Sequence, residues 1–502
     1  MDLRRCAFAL VFLPSCVAQL TFASYYGDHM VLQRAPERAV VWGFGPEAAN
    51  LTVSLSGPVA QQESAVTVAA GIWRVTLQPM PPGGPYNLTV RSHNSSAVLT
   101  DVLFGDVWLC GGQSNMCFTM SQIFNSSEEI AISSRYHQVR PFQVSLKTSN
   151  TELTDLTGVD IPWSVPSPEA LANFSAVCAL FGRYMYDQLK YPIGLVTSCW
   201  GGTPVEAWSS HRALQRCGLQ NLFEGDQHDN SVLWNAMIHP LVNMTIKGAL
   251  WYQGERNAAY HRDAYNCSFP AMIDDWRMVF HEGSGGQTSK NFPFGFAQLC
   301  VYKKGSRDDG FPEIRWHQTA DIGIVPNKRM PNTFMAVTLD LPDYNSPYGP
   351  IHPRDKQDVA YRLSLGARAL AYDENISFLG PFPQNILSDA MSFYIIYDQE
   401  VRAWQSVNIF EICCEGSPCE SETIWRPAPM LTMGASTIEV SAFYCSGTSK
   451  VAAIRFAWMD WPCVFKTCPI YSKDGVLPAP PFVFYAQAKR LSQTLPAFDV
   501  HL

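Results

Sequence analysis

The sequence predicts an α/β protein, a parallel sheet with helices on both faces, flanked on either side by β-rich regions. Three observations lead there. From about residue 101 to 375, short apolar runs alternate with stretches of helical spacing, the pattern of strands joined by crossover helices. Before and after that span the runs are β-branched and divided by Gly/Pro/Asn turns, as in antiparallel sandwiches. The 502 residues also exceed what a single hydrophobic core organises, so several domains are expected.

The chain opens with Arg4-Arg5, an apolar stretch from Cys6 to Leu13, and the small residues Cys16-Val17-Ala18. That is the layout of a secretory signal peptide cleaved after Ala18. Asn50, Asn87, Asn94, Asn125, Asn173, Asn243, Asn266 and Asn375 each stand in an N-x-S/T triplet without proline, which behind a signal peptide reads as glycosylation. A secreted or lysosomal glycoprotein is therefore expected. Without Cys6 and Cys16 there remain 13 cysteines, so disulfides should form and leave at least one thiol over. Cys413, Cys414, Cys419, Cys445, Cys463 and Cys468 lack paired metal spacing; they predict a disulfide-stapled module and no metal. A net charge of −8 carries no basic footprint, which argues against nucleic acid. No later stretch is long enough for a membrane span.

The N-terminal region, 19–100, shows strands at Ala39–Trp42, Leu51–Leu55, Gly71–Leu77 and Tyr86–Val90. The next region, 101–378, begins with Asp106-Val-Trp-Leu-Cys-Gly-Gly-Gln-Ser-Asn-Met116. Its apolar run reads as a buried strand, and Met116–Phe124 as a helix. A serine at such a strand-to-helix turn has an exposed hydroxyl and a backbone N–H at a helix start, which suits a nucleophile; it equally suits a helix cap. Further strands are predicted at Ile193–Cys199, Gly248–Tyr252, Phe294–Leu299 and Thr333–Leu339. Helices are predicted within Leu171–Leu189, at Ala271–Phe280 with Pro270 at the start, and at Pro353–Ala371. Ligands of parallel sheets bind beyond the carboxyl ends of the strands. Ser114, Gly201-Gly202, Gln253–Asn257 and Asp340–His352 all follow predicted strands, so one sheet edge should gather them. The C-terminal region, 379–502, returns to β character with strands at Ser392–Tyr397, Ile438–Ser441 and Lys450–Phe456.

An acyl-transfer site needs a nucleophile, a histidine base, a group to orient it, and oxyanion donors. Ser114 and His352 are the candidates for the first two, with Asp340 or Asp343 upstream as the orienting acid. Gly201 and Gly202 offer backbone N–H groups without side chains, and Gln253 and Asn257 offer amides. Each has a bland counterpart: a helix cap for His352, a tight turn for the glycines, loop hydrogen bonding for the amides. Glu255 is either a supporting carboxylate or a surface charge.

Four ordered blocks carry a resemblance: Gly112-Gln-Ser-Asn-Met116, Trp200-Gly-Gly-Thr-Pro-Val-Glu-Ala-Trp208, Trp251-Tyr-Gln-Gly-Glu255 with Asn257, and Ile351-His-Pro-Arg-Asp-Lys-Gln357. Together they resemble the sialate O-acetylesterase family of SGNH-type hydrolases, in its mammalian form. The resemblance implies a flavodoxin-like three-layer α/β/α core with flanking all-β, sandwich-like domains. It implies Ser114 as nucleophile, His352 as base, Gly201 or Gly202 as oxyanion donor, no cofactor, and O-acetylated sialic acids as substrate. Two departures stand out. The acid that such hydrolases often hold three residues before the histidine is here Gly349, and two residues before it stands Pro350. The acid is then Asp340 or Asp343, or absent, with a carbonyl orienting a Ser–His dyad. Arg256 also replaces a small residue, as a ligand for a substrate carboxylate or as a solvent-facing charge. The rival readings are an esterase of another acetylated carbohydrate such as acetylxylan, and a glycan-binding protein with a relic hydrolase core.

Overall fold

The computed structural model describes residues 19–59, 61–219, 226–306, 308–389, 391–415, 419, 424–445 and 451–485, and the backbone of 497–498. The expected signal peptide, residues 1–18, lies outside the described residues.

The protein is a mixed α/β structure built on an eleven-stranded mixed sheet. Its central part contains β1 (Ser96–Gly112), β2 (Val139–Val144), β3 (Val159–Ile161), β4 (Ile193–Cys199), β5 (Gly248–Tyr252), β6 (Phe294–Gln298) and β7 (Thr333–Val337), in the order β3-β2-β4-β1-β5-β6-β7. All neighbours are parallel except β3 with β2. The chain fills one side of β1 and then the other, so the strand order reverses at β1, where such sheets open a crevice. In register, Gly112 faces Cys199 on one side and Tyr252 on the other. The three central strands therefore end level.

β4, β5, β6 and β7 are buried throughout, as parallel strands covered on both faces must be. Phe294 and Phe296 meet Phe269 of the helix Tyr265–Gly283. Gly295 points the other way, its missing side chain replaced by the Phe334 ring, and that ring presses on Gly366 of the helix Lys356–Ala371.

β1 begins among the N-terminal strands. Its first half pairs antiparallel with Gly83–Arg91, and Val31–Gln33 runs parallel to Leu103–Gly105. The strand expected at Val107–Cys110 is thus the end of a 17-residue strand. In the C-terminal region, Pro383–Ser388, Ser392–Tyr397 and Thr437–Ser441 form one antiparallel sheet. Phe410–Cys414, Val451–Phe456 and Phe482–Tyr485 form another. Phe382, Phe410, Phe456 and Phe482 pack in their core.

Six disulfides form among the described residues: Cys110–Cys178, Cys117–Cys199, Cys217–Cys267, Cys413–Cys419, Cys414–Cys445 and Cys463–Cys468. Cys300 stays a buried free thiol. All six C-terminal cysteines pair among themselves. No helix of the described residues is long and apolar enough to cross a membrane.

Three helices differ from expectation. The one after Ser114 spans only Ser114–Cys117, because Phe118 turns to extended geometry and Cys117 is tied to Cys199. Pro270 lies inside its helix, whose apolar face starts earlier, at the buried Tyr265 and Phe269. The last begins at Lys356, capped by the Asp355 carboxylate on the Asp358 N–H at 3.0 Å, so Pro353 precedes it.

Candidate active site

Ser114 follows β1 directly. Gly112 has φ +141°, and a Cβ there would stand 2.2 Å from the Tyr252 carbonyl oxygen, so only glycine lets the chain turn beside β5. The Gln113 N–H donates to that same carbonyl, and the Gln113 carbonyl accepts from Met116 and Cys117. Ser114 becomes the first residue of a helical turn, and its N–H is one of the donors such a turn leaves without a helical partner. Its hydroxyl lies 2.9 Å from Nε2 of His352.

On the far side of the imidazole, Nδ1 lies 2.8 Å from the Tyr348 carbonyl oxygen. That acceptor requires Nδ1 to carry the hydrogen, which leaves Nε2 free to accept from Ser114. Burial, reinforced by the nearby Lys356 and opposed by the Tyr348 carbonyl, pulls His352 below the ordinary histidine value. Its resting form near neutrality is thus the uncharged base.

Neither carboxylate expected to orient His352 does so. Asp343 receives the Arg354 guanidinium at 2.7 and 3.0 Å. Asp340 is buried between the Arg362 guanidinium, at 2.6 and 2.8 Å, and the Tyr471 hydroxyl, at 2.9 Å. Two-point pairing with arginine uses both oxygens of a carboxylate, so the imidazole is left to a main-chain carbonyl.

Of the two glycines after β4, Gly201 is the one beside the nucleophile: a Cβ there would be 3.4 Å from that of Ser114. Gly202 has φ +75° and open space where a Cβ would point, so it makes the turn. Thr203 closes that turn on the Trp200 carbonyl, and the Trp200 N–H is anchored on Gly112.

Gln253 and Asn257 are buried, and their amide hydrogens are engaged within the protein. Gln253 Nε2 donates to the Thr203 carbonyl and to Asn257 Oδ1. Asn257 Nδ2 donates to Glu206 and the Tyr260 carbonyl, while its Oδ1 takes the Val205 N–H. Neither amide offers a hydrogen to an oxyanion; together they bind the loop after β5 to the one after β4. The Arg256 N–H donates to Gln113 Oε1, and its guanidinium lies over the Tyr260 ring.

Two residues of the site carried no expectation. Asn115 and Lys356 are buried behind the Ser114–His352 pair, linked at 2.7 Å from Lys356 Nζ to Asn115 Oδ1. The signal available was their place inside two of the four blocks. Glu255 joins them, its carboxylate accepting from Asn115 Nδ2 at 2.6 Å. Among the described residues no cluster of His, Cys, Asp and Glu could hold a metal ion.

The chain is similar to known proteins. Residues 104–284 match the family described as carbohydrate esterase, sialic acid-specific acetylesterase, and residues 384–486 match the sialate O-acetylesterase C-terminal domain. The chain is 50% identical over 488 residues to sialate O-acetylesterase of Homo sapiens, covering 92% of each. It is 50% identical over 512 residues to the one from Mus musculus, covering 92% of this chain and 94% of the relative. The chain belongs to the sialate O-acetylesterase family. Its fold is similar to the crystal structure of a carbohydrate acetylesterase from Xanthomonas citri, with TM-score 0.79, 29% identity, and coverage of 92% of this chain and 99% of that one. The first family match contains Ser114, Gly201, Gln253 and Glu255. His352 lies between the two matched stretches, in a segment that the structure brings to Ser114.

Proposed function

We propose that the protein is a serine esterase that removes O-acetyl groups from O-acetylated sialic acids through an acetyl-enzyme. The observation that carries the chemistry is the Ser114 hydroxyl at 2.9 Å from the free ring nitrogen of His352; membership of the sialate O-acetylesterase family supports the substrate. Ser114 Oγ attacks the acetyl carbonyl carbon while its proton passes to Nε2. The oxyanion is met by the N–H groups of Ser114 and Gly201. Collapse breaks the ester bond, and the sugar oxygen leaves with the proton from His352. Water, activated by the same nitrogen, then releases acetate and restores Ser114. The Tyr348 carbonyl takes the orienting role of a triad acid, so the catalytic pair is a dyad. No cofactor enters.

The three-layer SGNH-type core spans residues 101–378 in this reading, with sandwich-like β domains at 19–100 and 379–502. The disulfides suit the secretory pathway, lysosomal or secreted. Of the eight sequon asparagines, Asn50, Asn87, Asn94, Asn125, Asn173 and Asn375 are exposed and suited to carry glycans. Asn243 and Asn266 are half-buried, and they bond Arg74 and Asp321.

The test is acetate release from 9-O-acetylated sialic acid by the purified protein, beside Ser114→Ala and His352→Ala. The parent should be active and each variant reduced about 10⁴-fold or more. Full activity in Ser114→Ala would remove the mechanism. Faster release from acetylated xylo-oligomers than from sialic acid would reassign the substrate.

A further inference from the structure

A histidine oriented by a neutral carbonyl has a weaker anchor than one held by a carboxylate, so its aim depends on the main chain around it. That main chain is pinned at successive carbonyls. The Ile351 carbonyl accepts from Asn115 Nδ2 at 2.9 Å, that of His352 from Ser346 Oγ at 2.7 Å, and that of Pro353 from Lys356 Nζ at 2.6 Å. Asn115 is the residue after the nucleophile. Its other amide hydrogen goes to Glu255, and its oxygen accepts from Lys356. One buried amide thereby joins the turn bearing Ser114, the loop after β5 and the peptide unit before His352, and through Lys356 it reaches the Pro353 carbonyl.

We propose that Asn115, Lys356 and Glu255 form a positioning unit that, acting through the main chain on either side of His352, keeps it in line with Ser114. The proposal rests on the dyad reading given above. Lys356 is wholly buried, its ammonium 4.8 Å from the Phe118 ring centre and 5.3 Å from that of Tyr252. A buried cation needs a fixed environment to stay charged. The titratable groups facing it are Glu255, Cys300, Asp355, Asp343, Tyr252 and His352. Burial draws Lys356 down to about 8 and raises Glu255. Oε2 of Glu255 is buried with no hydrogen-bond partner. A solvated surface charge would show none of this. The pair keeps the region behind the imidazole near neutral, and a Lys356 cation alone would disfavour the imidazolium formed during catalysis.

The probe is p-nitrophenyl acetate hydrolysis by the full-length protein, with kcat, KM and the pH profile measured for Asn115→Ala, Lys356→Met, Glu255→Ala and Glu255→Gln. Misaiming a base by a fraction of an ångström to an ångström lowers kcat by about 10- to 100-fold, and that loss is expected in Asn115→Ala and Lys356→Met. KM should change by less than about threefold, because these side chains hold the base and do not touch the substrate. In Lys356→Met the acid limb of kcat/KM should move to higher pH, since a cation near His352 is gone. Glu255→Gln keeps an oxygen for Asn115 and should retain clearly more kcat than Glu255→Ala.

An unmoved acid limb with kcat intact in Asn115→Ala and Lys356→Met would overturn the proposal, as would losses confined to KM or melting temperature. If Lys356→Met does not fold, the other three variants decide, and equal kcat in the two Glu255 variants counts against the unit. A parent active on p-nitrophenyl acetate but not on acetylated sialic acid removes the proposed substrate and leaves this test standing. A parent inactive on both removes the esterase reading itself.

Discussion

Nδ1 of His352 is held by the main-chain carbonyl of Tyr348, at 2.8 Å, and by no carboxylate. A neutral acceptor orients the ring and fixes its tautomer, but it gives the developing imidazolium less stabilisation than an anion.

The two aspartates should therefore part company on mutation. Asp343→Asn loses a partly exposed pairing with Arg354 and should keep kcat within about tenfold, against the loss of about 10⁴-fold seen when a true triad acid is neutralised. Asp340→Asn leaves the buried Arg362 with only the more distant Asp358, at 3.7 Å, as a carboxylate partner and should destabilise by up to about 3–5 kcal/mol. Melting temperature and kcat measured on both variants separate these outcomes. A collapse of kcat in well-folded Asp343→Asn would restore it as the acid.

The pH profile should have a low acid limb. His352 acts as a base only when unprotonated, and burial followed by Lys356 lowers it from 6.5. Activity should hold below that pH and fall as the pH drops through the shifted value. A kcat/KM midpoint at or above 6.5 would contradict the burial of the ring.

Gly201→Ala and Gly112→Ala should differ in kind. At Gly201 a methyl group fits at 3.4 Å from Ser114 Cβ, so the protein should fold but crowd the attacking centre. Loss of one oxyanion contact is worth about 10²- to 10³-fold in kcat, which bounds the effect. At Gly112 the methyl would meet backbone 2.2 Å away, and soluble protein should be scarce. Circular dichroism and yield beside activity distinguish the two.

Cys117–Cys199 joins the turn after Ser114 to the end of β4, closing 82 residues of chain. Replacing both cysteines by serine should destabilise by about 2–4 kcal/mol and lower activity, since the bond sets the distance between Ser114 and the Gly201 loop. Thermal melts and p-nitrophenyl acetate rates check both effects. An unchanged kcat at a temperature well below melting would show the two loops to be placed without it.

The sheet was legible because short apolar runs and the turn residues after them mark strands directly, and the loops that follow those strands bring Ser114, Gly201 and His352 to one edge. What escaped reading depends on partners remote in sequence. A carbonyl acceptor such as that of Tyr348 leaves no mark in the side chains, so nearby aspartates drew the expectation. Gln253 and Asn257 have the right donors, but Thr203, Glu206 and Tyr260 already use them. Likewise, a helical pattern from Met116 to Phe124 could not register that Cys117 is bonded to a residue 82 positions away. Lys356 looked like any charged residue at a helix start; only the rings of Phe118 and Tyr252 closing over it reveal it as interior.

β1 carries across residues 100 and 101 as one strand, bulged there with Asp101 at φ +51°, paired to the N-terminal strands at its start and to β4 and β5 at its end. The boundary that composition suggests is thus a bulge within one strand and not a strand end. Pulling or melting the N-terminal strands would act along the same backbone that delivers Ser114. The nucleophile's position and the integrity of that region should be lost in a single cooperative transition.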